Sequence, residues 1–318
     1  MTKHSPAVSP FFGLALGILA ASTASIFIRY AQSYQVPSLV IAALRLSLAT
    51  LIPAPLALTR YRPELRRLER AEWILALLSG VFLALHFATW ITSLEHTTIA
   101  SSVVLVSTAP VWVALLTPFT IKERIPPLAL AGMLLAFAGG IVVALSDTCA
   151  WSGWRLACPT IADFVRGKAF FGDLLALAGA WMAGAYLLAG RRVRRKTSLI
   201  PYIFIVYGAA AVLLLVIAVL ARQPAWGYPW GSAPAYPLQA YGWIALLALV
   251  PQLLGHSSFN WALRYLSAAF VSISLLGEPV GSTILALVLF REIPSALKVI
   301  GVVLILAGIV LAGRYSEG

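Results

Sequence analysis

Arg45, His86, His256 and Glu278 are ionisable side chains set in stretches otherwise made of Leu, Ala, Val and Ile. In such surroundings a charged group needs a partner, a proton or a bound solute, so each is a candidate site residue. His86 and Trp90 are four apart, as are His256 and Asn260, which puts each pair on one helical face. Imidazole can hydrogen-bond a solute or take a proton near neutral pH; the alternative is a ring bonded to a neighbouring backbone carbonyl. The Arg45 guanidinium matches a carboxylate through two parallel hydrogen bonds, or it forms a structural ion pair with Glu278 or another acid. Glu278 itself could hold substrate or a proton. Trp90, Trp112, Trp181, Tyr186 and Tyr207 offer flat faces to an organic or cationic solute, or pack against lipid and protein. Pro110 and Pro279 remove a backbone donor and are expected to break their helices, turning carbonyls toward a site. Glu123 and Glu292 sit beside Lys122 and Arg291 at the ends of apolar runs and read as structural anchors or gate elements.

These groups suit binding and passage of a solute better than catalysis. There is no glycine-rich phosphate loop, no His-Glu-x-x-His and no cysteine pair at metal-binding spacing. No enzyme activity, cofactor or metal is therefore expected, and ATP-driven movement would need another chain.

The elements that carry these residues are helices in a bilayer. Of 318 residues 61% are hydrophobic and 11% charged, too apolar a balance for the surface of a soluble protein of this size. The apolar residues come in runs of about twenty, the length that crosses the hydrocarbon core as a helix. Ten-residue alternating segments, the mark of a membrane barrel, are missing from the pattern. Ten spans are expected, over 11–31, 36–58, 72–93, 98–120, 127–146, 170–190, 199–221, 241–262, 268–290 and 295–313. The first run lacks a signal-peptidase site and reads as an uncleaved helix.

A net charge of +12 suggests nucleic acid, but the positions of the charges do not: most Lys and Arg fall in short connections, where they face lipid headgroups. With the N-terminus in the cytoplasm, the inner segments hold Lys3, Arg60, Arg62, Arg66, Arg67, Arg70, Lys122, Arg124, Arg191, Arg192, Arg194, Arg195, Lys196, Arg264 and Arg314. The outer ends hold only Arg29, Arg155, Arg166, Lys168, Arg222, Arg291 and Lys298. Both termini are thus expected in the cytoplasm. Cys149 and Cys158 then share the outer loop 147–169, where they are either bridged or free thiols. The loop 222–240, with Trp226, Tyr228 and Trp230, reads as interfacial.

The chain also resembles itself. Adding 169 carries Pro110 onto Pro279, Glu123 onto Glu292, Gly132 onto Gly301 and Gly139 onto Gly308; adding 170 carries Trp73 onto Trp243 and His86 onto His256. The first and sixth spans align at an offset of 159, while the second and seventh match weakly. Leucine matches arise by chance, but paired Pro, Glu, His and Trp in register do not. Five spans per half is an odd number, so the second copy enters from the opposite face: residues 1–146 and 170–318 are expected to be two inverted five-helix repeats joined by 147–169. Gly13, Gly17, Ala21 and Ser25, and again Gly172, Ala176, Ala180 and Gly184, recur every four residues as small-residue stripes that allow close helix approach.

The run Ala100–Ala144, with Pro110 and the Lys-Glu-Arg around Glu123, resembles the EamA domain of the drug/metabolite transporter superfamily. The run Ala268–Gly313, with Glu278-Pro279, Arg291-Glu292 and the glycines 301–308, resembles a second copy, and Arg45 matches an arginine common in the family's second span. The resemblance implies a ten-helix, all-α fold with both termini inside and a central cavity between the halves. It also implies export of small organic metabolites, amino acids among them, across the inner membrane by alternating access. The fifth and tenth spans would buttress the path or meet a second protomer in a homodimer. A multidrug exporter and a nucleobase or nucleotide-sugar exporter on the same fold are the alternatives, and a membrane-embedded enzyme or receptor is the alternative from another class.

Overall fold

A computed structural model describes residues 8–97, 102, 105–121, 125–148, 150–152, 155–157, 168–223, 236–291 and 293–313. Cys149, Cys158, Glu123 and Glu292 lie outside the described residues, so the disulfide and gate expectations rest on sequence alone.

Almost everything described is helix. In an apolar medium the backbone must satisfy its own hydrogen bonds, and long Leu/Ala/Val runs do so as helices. In chain order these are α1 (Pro10–Ala21), α2 (Ala24–Ser33), α3 (Ser38–Leu51), α4 (Ala54–Leu58), α5 (Arg62–Arg67), α6 (Arg70–His96), α7 (Ala109–Thr120) and α8 (Pro127–Thr148). Then come α9 (Lys168–Arg194), α10 (Leu199–Leu220), α11 (Leu238–Leu247), a π-helical segment (Ala248–His256), α12 (Ser257–Ala262), α13 (Ala268–Leu275), α14 (Glu278–Phe290) and α15 (Ala296–Gly313). One departure from an all-helical chain is a small antiparallel hairpin, β1 (Ala150–Ser152) with β2 (Arg155–Ala157), in the connection between the halves.

Six helical stretches among the described residues are long and apolar enough to cross a membrane: 10–33, 70–96, 170–194, 199–220, 238–262 and 268–285. Four shorter apolar helices, 38–51, 109–120, 127–143 and 296–312, accompany them. The expected second span is shortened by a turn at Ile52–Pro53, and the first bends at Ser22–Thr23. The fourth and ninth break at Ser107–Thr108 and Leu276–Gly277, two residues before each proline. Pro110 and Pro279 thus do not sit at the break itself. They occupy the first turn of the helix that follows, where a missing N–H costs nothing and φ is already helical.

Helix ends are closed by specific partners. Glu69 and Glu72 form a reciprocal capping box at the start of α6. The Ser198 amide donates to the Glu64 carboxylate at the start of α10 (2.6 Å), and the Ser38 amide donates to Glu95 at the start of α3 (3.2 Å). Gln35, Arg222 and Arg291, just past helix ends, adopt left-handed φ of 61°, 54° and 56°.

Packing pairs α6 with α9, α1 with the π segment and α12, α3 with α10, α7 with α13, and α8 with α15. The last seam is glycine-made. A Cβ built on Gly132 would lie 2.6 Å from the Gly308 carbonyl oxygen, and one on Gly139 would lie 2.7 Å from that of Gly301. Residue numbers rise on one helix as they fall on the other, so α8 and α15 run antiparallel. The stripe on α1 meets the eighth span: a Cβ on Gly17 would approach Ser258 and Phe259, and one on Gly255 would approach Ala21. On α9, Gly172 faces Thr97 and Gly184 faces Trp112. Exposed Leu, Ile, Val and Phe side chains cover the outside, as lipid contact requires.

Candidate functional site

The site grows from Arg45 in the middle of α3. Its side chain is fully buried, and none of its three guanidinium nitrogens has a hydrogen-bond partner. What lies against it is the face of Phe87 on α6, with the guanidinium carbon 4.3 Å from the ring centroid. Glu278, Tyr207, Tyr186, His86 and His256 are the ionisable groups around it. No direct ion pair with Glu278 forms. That carboxylate opens α14, in the first turn after the break, where the helix dipole favours a negative charge.

Phe87 is the hub of an aromatic cluster. Its ring lies 4.9 Å from His86 and 5.3 Å, edge to face, from His256; His86 in turn stacks on Trp90 at 5.8 Å and 13°. The two equivalent histidines therefore both lie against one ring, but their bonding differs. His86 Nδ1 is 2.9 Å from the Gly179 carbonyl oxygen on α9. That contact needs α6 and α9 to be close, which a glycine permits: a Cβ at 179 would lie 3.0 Å from Thr89 Oγ1. His256 Nδ1 has no partner, nor does the buried Trp90 Nε1. His256 ends the π-helical segment, which has no counterpart in α6; Pro251 within it, on the second half only, is the sequence signal for this difference.

Asn260 organises the remaining polar groups. Tyr186 Oη donates to its Oδ1 (2.7 Å), its Nδ2 donates to Tyr207 Oη (3.2 Å), and Tyr207 Oη shares a hydrogen bond with Ser257 Oγ (3.1 Å). Arg194 Nε donates to the Asn260 carbonyl oxygen at 2.8 Å, tying the end of α9 to α12. The fully buried Gln252 amide lies beside Tyr207 with both its atoms lacking hydrogen-bond geometry.

Of the sequence candidates, Arg45, His86, Trp90, Tyr207, His256, Asn260 and Glu278 thus converge. Trp112 does not join them; it packs on Ala109, Ala180 and Ala183 and donates to Thr108 Oγ1 (3.3 Å). Trp181 is 47% exposed on the same face of α9 as Phe170 and Leu174, a lipid-contact position. Phe87, Gln252, Ser257 and Gly179 were not singled out by sequence. A polar Gln one residue after an in-span proline was the signal for Gln252; Phe87 and Gly179 carried none, because apolar residues in a span look alike.

A bundle of long apolar helices with a buried arginine and several polar side chains gathered between them defines a polytopic membrane protein. The sequence profile of the EamA-like transporter family matches residues 9–145 and again 170–314. The chain belongs to that family of transporters, within the drug/metabolite transporter superfamily. A protein of Archaeoglobus fulgidus named "Uncharacterized transporter" is 21% identical over 262 residues, 81% of this chain and 82% of its own. A "Probable terminal-alkyne amino-acid exporter" of Streptantibioticus cattleyicolor is 26% identical over 224 residues, 70% of this chain and 67% of its own. A solved structure titled only as the crystal structure of a protein superposes with a TM-score of 0.73 at 21% identity, covering 97% of both chains, and shares the fold.

Proposed function

We propose that this transporter is a secondary exporter of small organic metabolites, amino acids foremost, working by alternating access between two inverted five-helix halves. The observation that carries the reading is the buried polar cluster, which draws on α3 and α6 of the first half and on α9, α10, α12 and α14 of the second. A site shared by both halves is what rocking one half against the other would open to each side in turn.

The inverted relation is supported by the glycine seam. Exchanging the halves at the sequence offset turns the Gly132–Gly308 contact into Gly301–Gly139, the second contact of the same seam. Two equivalent helices that meet in this self-matching way and run antiparallel are related by a half-turn across their axes. For helices crossing a bilayer, that axis lies in the membrane plane. On this reading the shorter helices complete ten spans, residues 1–146 and 170–318 form the halves, and both termini face the cytoplasm of a cell whose inner membrane holds the protein.

The Streptantibioticus relative, named as a probable amino-acid exporter, favours amino acids. Counterflow in proteoliposomes, with a panel of radiolabelled amino acids, nucleobases and lipophilic cations, tests the choice. Amino acids are expected to exchange; exchange of lipophilic cations alone would replace this reading with multidrug export.

A further inference from the structure

We infer that Arg45 is held without a protein partner so that the carboxylate of a zwitterionic solute completes it, with Glu278 answering the solute's ammonium group. The inference rests on the transport reading above and names the chemistry of the same site.

A buried guanidinium is ordinarily paired or heavily hydrogen-bonded, because leaving it bare in an apolar medium is costly. Arg45 is fully buried, yet its Nε and both Nη atoms are unbonded. The Phe87 face at 4.3 Å supports the charge from one side without consuming a single N–H. No protein acceptor uses any of its five donors, and a planar fork of donors is the geometry a carboxylate fits. Nearby, His256 Nδ1 and Trp90 Nε1 also lack a protein partner. Arg194, the other buried arginine among the described residues, shows the contrast: it donates to the backbone oxygens of Asn260 and Thr197.

The second pole follows from Glu278. Its carboxyl group lies among the ionisable neighbours of Arg45 yet makes no contact with it. A plain carboxylate would meet that charge as well as Arg45, whereas a zwitterion presents an opposite sign to each. Cationic solutes lacking a carboxylate would meet the bare guanidinium as a repelling charge.

The sign of a stability change separates this role from a structural one. A charge kept unpaired for a solute costs the empty protein stability, so Arg45→Met is expected to unfold in detergent at a temperature equal to or above wild type. In the wild type, L-phenylalanine, L-leucine and L-methionine should raise the midpoint more than 3-phenylpropanoate does, and the corresponding amino-acid amides should leave it unmoved. Arg45→Met should weaken amino-acid binding by on the order of thirtyfold or more, the loss expected when one member of a buried charge pair is removed. Arg45→Lys, which keeps charge but not the fork, should weaken it less.

The inference would be overturned by a lowered midpoint in Arg45→Met that Glu278→Gln restores, which marks a structural pair; by equal stabilisation by acids and amides; or by no amino acid stabilising the wild type. An Arg45→Met protein that still counterflows amino acids would remove Arg45 and leave the transporter reading standing. Arg45-dependent binding without counterflow would do the reverse.

Discussion

At the scale of single residues, Asn260 is the most connected polar group of the site. Its amide accepts from Tyr186 and donates to Tyr207, and its carbonyl oxygen receives Arg194. Asn260→Leu keeps the branched shape but strands the buried Tyr186 hydroxyl, at about 1–3 kcal/mol, and leaves Tyr207 Oη with Ser257 Oγ alone of its two partners. A loss of about 2–4 kcal/mol is expected in reversible unfolding. Asn260→Asp, which keeps the acceptor for Tyr186, should lose less; equal losses would show that the hydroxyls find other partners. The position of Asn260 four residues after His256 was legible from spacing, but its role was not, because both tyrosines come from helices distant in sequence.

At the scale of elements, the α8–α15 seam makes a sharper case. Gly132 and Gly301 occupy equivalent positions, and a Cβ on either would collide with backbone, at 2.6 Å from the Gly308 oxygen and 2.8 Å from the Gly139 oxygen. Backbone cannot swing aside as a side chain can, so Gly132→Val and Gly301→Val should each destabilise, by similar amounts, on the order of 2 kcal/mol or more. Gly140 is the control, since nothing lies within 4 Å of a Cβ there. Gly140→Ala should be neutral or stabilising by up to about 1 kcal/mol through helix propensity alone. Thermal unfolding of the three variants decides it; a harmless Gly132→Val would mean that the seam opens freely.

At the scale of the whole molecule, polar ties gather at two ends of the bundle. At one, Lys196 pairs with Glu72 (3.4 Å) and Glu64 caps Ser198. At the other, Glu95 caps Ser38, and Thr97 donates to Asp173 (2.7 Å). In the orientation proposed above from the lysine and arginine distribution, the first end would be cytoplasmic. In a cysteine-free background, Lys196→Cys should react with an impermeant maleimide only in inside-out vesicles and Gln35→Cys only in right-side-out ones. Labelling of both from one side would defeat the ten-span arrangement.

Hydropathy alone determined that this chain lives in a bilayer as helices, because twenty apolar residues have few other stable fates. The paired prolines, tryptophans and histidines pointed to two related halves, because such residues are rare in a span and do not align by accident. Which face of each helix turns inward was beyond the sequence. Lipid and protein interior are both apolar, so the inner and outer faces of a span carry similar residues, and Trp181 and Trp90 read alike until the packing sends one to lipid and the other to the site. The bare state of Arg45 was likewise a tertiary outcome. Whether a buried charge is paired depends on the distance to groups from other helices, and the assembled bundle placed Phe87 against the guanidinium and kept Glu278 out of contact.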